Sequence, residues 1–64
     1  MQIMLNGVLC DTQAETLTAL LVQEGFSGRV ATAVNEEFVP AALRDEQSLK
    51  DGDRVEVLAP MQGG

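Results

Sequence analysis

Few side chains in this 64-residue chain could do covalent chemistry. There is one cysteine, Cys10, one lysine, Lys50, and no histidine, so neither a histidine-based triad nor a Cys/His metal site can be assembled. The adjacent carboxylates Glu36 and Glu37 are expected at a solvated turn, where neighbouring side chains point apart instead of forming an acid/base pair. Asp51 and Asp53 flank Gly52 and are too few for a calcium loop, so turn chemistry is the expectation. Cys10 has no basic neighbour in sequence to lower its pKa and is expected to be a small, partly buried hydrophobe. What is left is the end of the chain, "LAPMQGG".

Pro60 cannot donate to a sheet ladder, and the five residues Pro60, Met61, Gln62, Gly63 and Gly64 span about 17 Å when extended. Glycine without a Cβ passes through a channel too narrow for side chains and lets its backbone approach a reactive group. The terminal carboxylate of Gly64 is then the unusual functional group. A carboxylate resists nucleophiles until its oxygen becomes part of a leaving group, and attack on the α-phosphate of ATP achieves that by forming an acyl-adenylate. On this view the chain is not an enzyme. It supplies the substrate, and a partner supplies ATP, magnesium and catalysis, with contacts of the folded body holding the carboxyl at the reacting phosphorus.

The elements that must position this tail follow from hydrophobic period. "QIML" alternates, placing Ile3 and Leu5 on one face, and Asn6-Gly7 signals a two-residue hairpin turn to a strand from Val8 to Cys10 or Asp11. Leu17, Leu20 and Leu21 then recur with helical spacing. Thr12 with Glu15 fits a capping box, but Glu15 or Thr16 is the favoured cap because the hairpin needs residues up to Asp11. Gly25 suits the C-terminal cap, with Phe26 folding back on the last turn. "RVATAVN" and "FVP" read as strands, the second ending at an edge because of Pro40. Ala41 to Ser48 is expected to be a loop or helical turn, with Leu49 plugging the core. After the Asp51-Gly52-Asp53 turn, Val55 and Val57 alternate with Arg54, Glu56 and Leu58.

The order β-β-α-β-β-β predicts an α+β domain over residues 1–59, one mixed sheet wrapped around one helix, followed by a flexible tail at 60–64. If the first and last strands are neighbours, Met4 and Leu58 both point away from the helix and form an apolar patch near the tail, a candidate partner-binding surface.

Composition is that of an ordinary globular protein, 45% hydrophobic and 22% charged. A net charge of −6 argues against nucleic acid and suits either solubility or attraction to a basic partner. No membrane span or signal peptide is expected, and one cysteine suits a reducing cytoplasm.

The β-grasp order, "AVNEEFVP", "LKDGDRVEVLAPMQGG" and the short length together resemble the ubiquitin-like sulfur carriers, most closely the ThiS family of thiamine biosynthesis. The resemblance implies a cycle. An E1-like adenylyltransferase (ThiF-like) activates the carboxyl of Gly64, sulfur from a cysteine-desulfurase route converts it to a thiocarboxylate, and a thiazole synthase (ThiG-like) receives the sulfur. Glu36, Ala41, Leu43 and the tail "PMQGG" depart from the common family pattern. Alternatives with a shared activation step are the small subunit of molybdopterin synthase and a ubiquitin-like protein modifier. A β-grasp interaction module with an idle tail is a further one.

Overall fold

Asn6 and Gly7 adopt φ of 50° and 80°, the positive values a tight two-residue hairpin requires. They join β1 (Gln2–Leu5) to β2 (Val8–Asp11), with Leu5 opposite Val8 and Ile3 opposite Cys10. The structure is a computed structural model that describes residues 1–59. The expected tail, Pro60, Met61, Gln62, Gly63 and Gly64, lies outside the described residues.

Helix α1 (Leu17–Gln23) starts at the later of the two possible caps: Thr16 is extended, and its hydroxyl accepts a hydrogen bond from Ala19 N–H at 3.2 Å. Thr12 is used differently. It is buried, accepting from Ala14 N–H and donating to Gln23 Oε1, and so pins the loop to the far end of the helix. At that end Gly25 has φ of 77°; Phe26 N–H bonds Leu21 C=O at 3.0 Å and Gly25 N–H bonds Val22 C=O at 3.2 Å. That pair of bonds is a Schellman motif, and Phe26 packs against the core as the motif's apolar follower does.

Strand β3 (Ala31–Val34) is shorter than "RVATAVN" suggests, because Asn35 is already in the next turn with φ of 51°. It pairs with β4 (Glu37–Val39), which ends at Pro40 on the sheet edge. A 3-10 helix, Ala41–Glu46, follows, and β5 (Arg54–Leu58) closes the sheet. The sheet order is β2-β1-β5-β3-β4, with β1 parallel to β5 and every other pair antiparallel.

Leu17, Leu20 and Leu21 of α1 pack with Ile3, Val34, Val39, Val55 and Val57 of the sheet, and Leu49 and Ala14 close the ends. This is the ubiquitin-like β-grasp arrangement that the element order implies. So small a core has little redundancy: emptying the Leu20 site, which is fully buried, is worth about 2–5 kcal/mol in a core of this kind. Leu43 is half exposed and does not cap the core. Arg44 holds the 3-10 helix instead, its guanidinium donating to Thr32 Oγ1 at 3.0 Å and Val30 C=O at 2.6 Å.

Candidate functional site

β5 is the central strand of the sheet and ends at Leu58, one residue before the last described residue, Ala59. Asparagines at the two hairpin tips hold the strand from opposite sides. Asn6 donates from Nδ2 to Val57 C=O and accepts from Val57 N–H. On the other flank Asn35 accepts from Arg54 N–H at 2.9 Å and donates to Asp53 Oδ1 at 3.0 Å. Both side chains act as an extra strand residue where the backbone ladder runs out.

The Asp51-Gly52-Asp53 turn feeds β5 and behaves as turn chemistry. Asp51 Oδ1 accepts from Gln2 N–H at 2.7 Å, and Gly52 takes φ of 90°. Asp53 is buried, which alone would raise its pKa. The Asn35 amide, the Lys50 N–H at 2.8 Å and the Lys50 ammonium outweigh that burial, and the carboxyl ends below its ordinary range.

On the sheet face away from the helix, the register sets side chains in rows. Leu9, Met4 and Arg54 form one row; Glu56, Ala33 and Phe38 form the next; Leu58 and Ala31 form the third, nearest the tail. Met4 and Leu58 therefore share a face, as alternation demands, but are not neighbours. Met4 is opposite Arg54, and four strand residues, about 13 Å, separate that row from Leu58. The continuous Met4–Leu58 patch expected from the sequence is corrected to two separate surfaces.

Leu58, 68% exposed, instead stands as a ridge between two shallow apolar grooves. One is lined by Arg29, Val30, Ala31, Leu58 and Ala59. The other is lined by Ala31, Thr32, Ala33, Phe38, Glu56 and Leu58. Phe38, on the rim of the second groove, is 69% exposed. Its signal is in the sequence: Val39 must face the core, so Phe38 faces outward, leaving the larger apolar residue on the wet face.

Elsewhere, Glu36 occupies the β3–β4 turn and Glu37 opens β4, both exposed, with Glu36 3.6 Å from Arg54. Cys10 is half buried. Burial first, then the Glu24 and Asp11 carboxylates, pushes its thiol pKa above the ordinary value, which disfavours the thiolate. Among the described residues no cluster of three or more potential metal ligands occurs, and no helix is long and apolar enough to cross a membrane.

The model of the ThiS family matches residues 3–64, nearly the whole chain. The chain belongs to the ThiS family. It is 39% identical over 61 residues to the sulfur carrier protein ThiS of Thermus thermophilus, covering 94% of this chain and 95% of that protein. It superposes on the crystal structure of the thiamine biosynthesis protein ThiS from Geobacter metallireducens with a TM-score of 0.84 at 32% identity, covering all of both chains. The solution structure of a thiamine biosynthesis protein from the same organism gives 0.82 at 29% identity, covering all of this chain and 88% of that one.

Proposed function

We propose that this protein is the sulfur carrier of thiamine biosynthesis and that the carboxyl of Gly64 is its working group. The carboxylate oxygen attacks the α-phosphate of ATP on an E1-like adenylyltransferase, forming the acyl-adenylate and releasing pyrophosphate. A sulfide equivalent from a cysteine-desulfurase route then attacks the acyl carbon and expels AMP, leaving a thiocarboxylate. That sulfur is passed to a thiazole synthase for the thiazole ring. Pro60, Met61, Gln62 and Gly63 serve as the slim lead that threads Gly64 into each partner, and magnesium accompanies ATP on the activating enzyme.

The observation that supports this is the family match running through residue 64, over an end whose last two residues lack side chains. The fold supports it too: β5 is central and clamped on both flanks, so the body acts as a rigid handle. Leu58, exposed at the root of the tail, is the partner-binding residue; Met4, two rows away, is a weaker candidate for the same contact.

The test is intact-mass spectrometry of the full chain incubated with ATP, adenylyltransferase and a sulfur donor. The expected product carries one sulfur in place of one oxygen, localised to Gly64 by fragmentation. A chain that never acquires this mass under conditions that charge a known carrier refutes the proposal. Leu58→Asp should impair adenylation while leaving the circular dichroism spectrum unchanged, and rescue of a thiamine requirement separates this pathway from molybdopterin synthesis.

A further inference from the structure

The Leu58 ridge is bracketed by opposite charges, and neither has an ion-pair partner among the described residues. Of the four basic side chains, Arg54 pairs with Glu36, Lys50 lies 4.0 Å from Asp53, and Arg44 is spent on Thr32 and Val30. Arg29 is the one left without a partner among the described residues, and it lines the groove that opens beside Ala59. On the other side of Leu58, Glu56 lines the second groove beneath Phe38, is exposed and has no ion-pair partner among the described residues. Arg54, one row from Glu56 on the same face, is paired with Glu36, and Lys50 lies against Asp53, so no ion pair among the described residues neutralises Arg29 or Glu56.

Resting on the carrier role proposed above, we infer that Arg29, Leu58 and Glu56 form a polarised footprint for the adenylyltransferase, which presents an apolar pocket to Leu58, a carboxylate to Arg29 and a cation to Glu56. An apolar ridge alone could seat in a partner in either direction. A positive flank on one side and a negative flank on the other permit one direction, because the reversed pose sets like charges together. Direction matters here: β5 leads into residues 60–64, and only one orientation of the handle sends Gly64 toward the ATP site. Arg29 and Glu56 are thus positioning residues that touch neither ATP nor the reacting carboxyl.

The experiment is ATP–pyrophosphate exchange by the adenylyltransferase of the same organism, titrated with the full-length chain carrying Arg29→Gln, Arg29→Glu or Glu56→Lys. Glu46→Lys, on the helical side, carries the same net change as Glu56→Lys and serves as control. Reversal at position 29 or 56 should raise KM for the carrier about tenfold, with Arg29→Gln intermediate, kcat at saturation within twofold and the salt dependence of KM reduced. Glu46→Lys should shift KM much less, and thermal melts should show all four variants folded. If both reversals leave KM within twofold of the unaltered chain, or if Glu46→Lys raises it equally, the footprint is wrong and the carrier role stands. No exchange with the unaltered chain would overturn both.

Discussion

Asn6 grips the main chain of Val57 from both sides, with Nδ2 3.1 Å from its carbonyl oxygen and Oδ1 2.8 Å from its nitrogen. Asn6 also donates its own N–H to Val55 C=O at 2.9 Å, so a single turn residue continues the β1–β5 seam after β1 has ended. Asn6→Asp keeps the acceptor and loses the donor, leaving Val57 C=O facing a carboxylate. The expected loss in a urea melt is about 1–3 kcal/mol. Asn6→Gly suits the turn and loses both bonds but brings no carboxylate against Val57 C=O, so it should fall less far.

Glu36 sits at φ of 71° in the second position of the β3–β4 turn, where a Cβ is unfavourable. Its partner across the turn, Arg54, is exposed and lies 3.6 Å away, a pair worth at most about 1 kcal/mol. Glu36→Gly should therefore stabilise the fold by about 0.5–1 kcal/mol, since relief of the backbone outweighs the lost pair. A lower melting temperature for Glu36→Gly would contradict this.

Asp53 links the Asn35 turn to the start of β5, and its pKa is lowered in the folded state. The sign follows: the carboxylate contributes stability at pH values above the unfolded carboxylate pKa of about 3.9, and that contribution disappears as pH falls through the lower folded value. Unfolding free energy of the native chain should drop below about pH 4. Asp53→Asn should be less stable at neutral pH and show a flatter acid limb, measured by denaturant titration from pH 7 to pH 2.

Cys10 is expected to be a slow nucleophile. Burial together with Glu24, whose Oε2 lies 3.8 Å from the sulfur, holds the thiol protonated. Alkylation by iodoacetamide at pH 8 should be slower than for free cysteine and should accelerate in Glu24→Gln. Equal rates in the two proteins would show that the carboxylate has no hold on the thiol.

A peptide fused after Gly64 converts the proposed working carboxyl into an amide and should abolish charging without lowering the melting temperature. The opposite end is more tolerant in principle. The Met1 ammonium donates to Thr12 C=O at 3.0 Å, a bond an amide N–H can also make, so an N-terminal tag should cost only the exposed ion pair with Asp11. Activity from an uncleaved C-terminal fusion would count against the carrier mechanism.

Much of this architecture was legible because short-range signals agree with one another. The alternation in "QIML", the Asn6-Gly7 and Asp51-Gly52-Asp53 turns, the Leu17/Leu20/Leu21 stripe and Gly25 followed by Phe26 each specify an element within a few residues. What escaped were relations set between distant segments. Alternation tells which face Met4 and Leu58 occupy, but the stagger of two parallel strands is fixed by packing, and here it places Met4 beside Arg54. Arg44 reads as a surface charge until the strand bearing Thr32 is laid beneath it. The charges around Leu58 were hidden for the same reason, since Arg29 lies 29 positions earlier in the chain.

The parallel seam between β1 and β5 also decides how the molecule bears mechanical load. One terminus enters at the beginning of β1 and the other leaves beyond the end of β5, so tension between them slides the two strands past each other. The Met4–Asp53, Asn6–Val55 and Asn6–Val57 bonds are strained together under such tension, whereas peeling the β1–β2 hairpin would break its bonds in succession. Tension carried through β1 and β5 therefore meets the domain in its mechanically resistant direction, with the seam loaded in shear instead of unzipped.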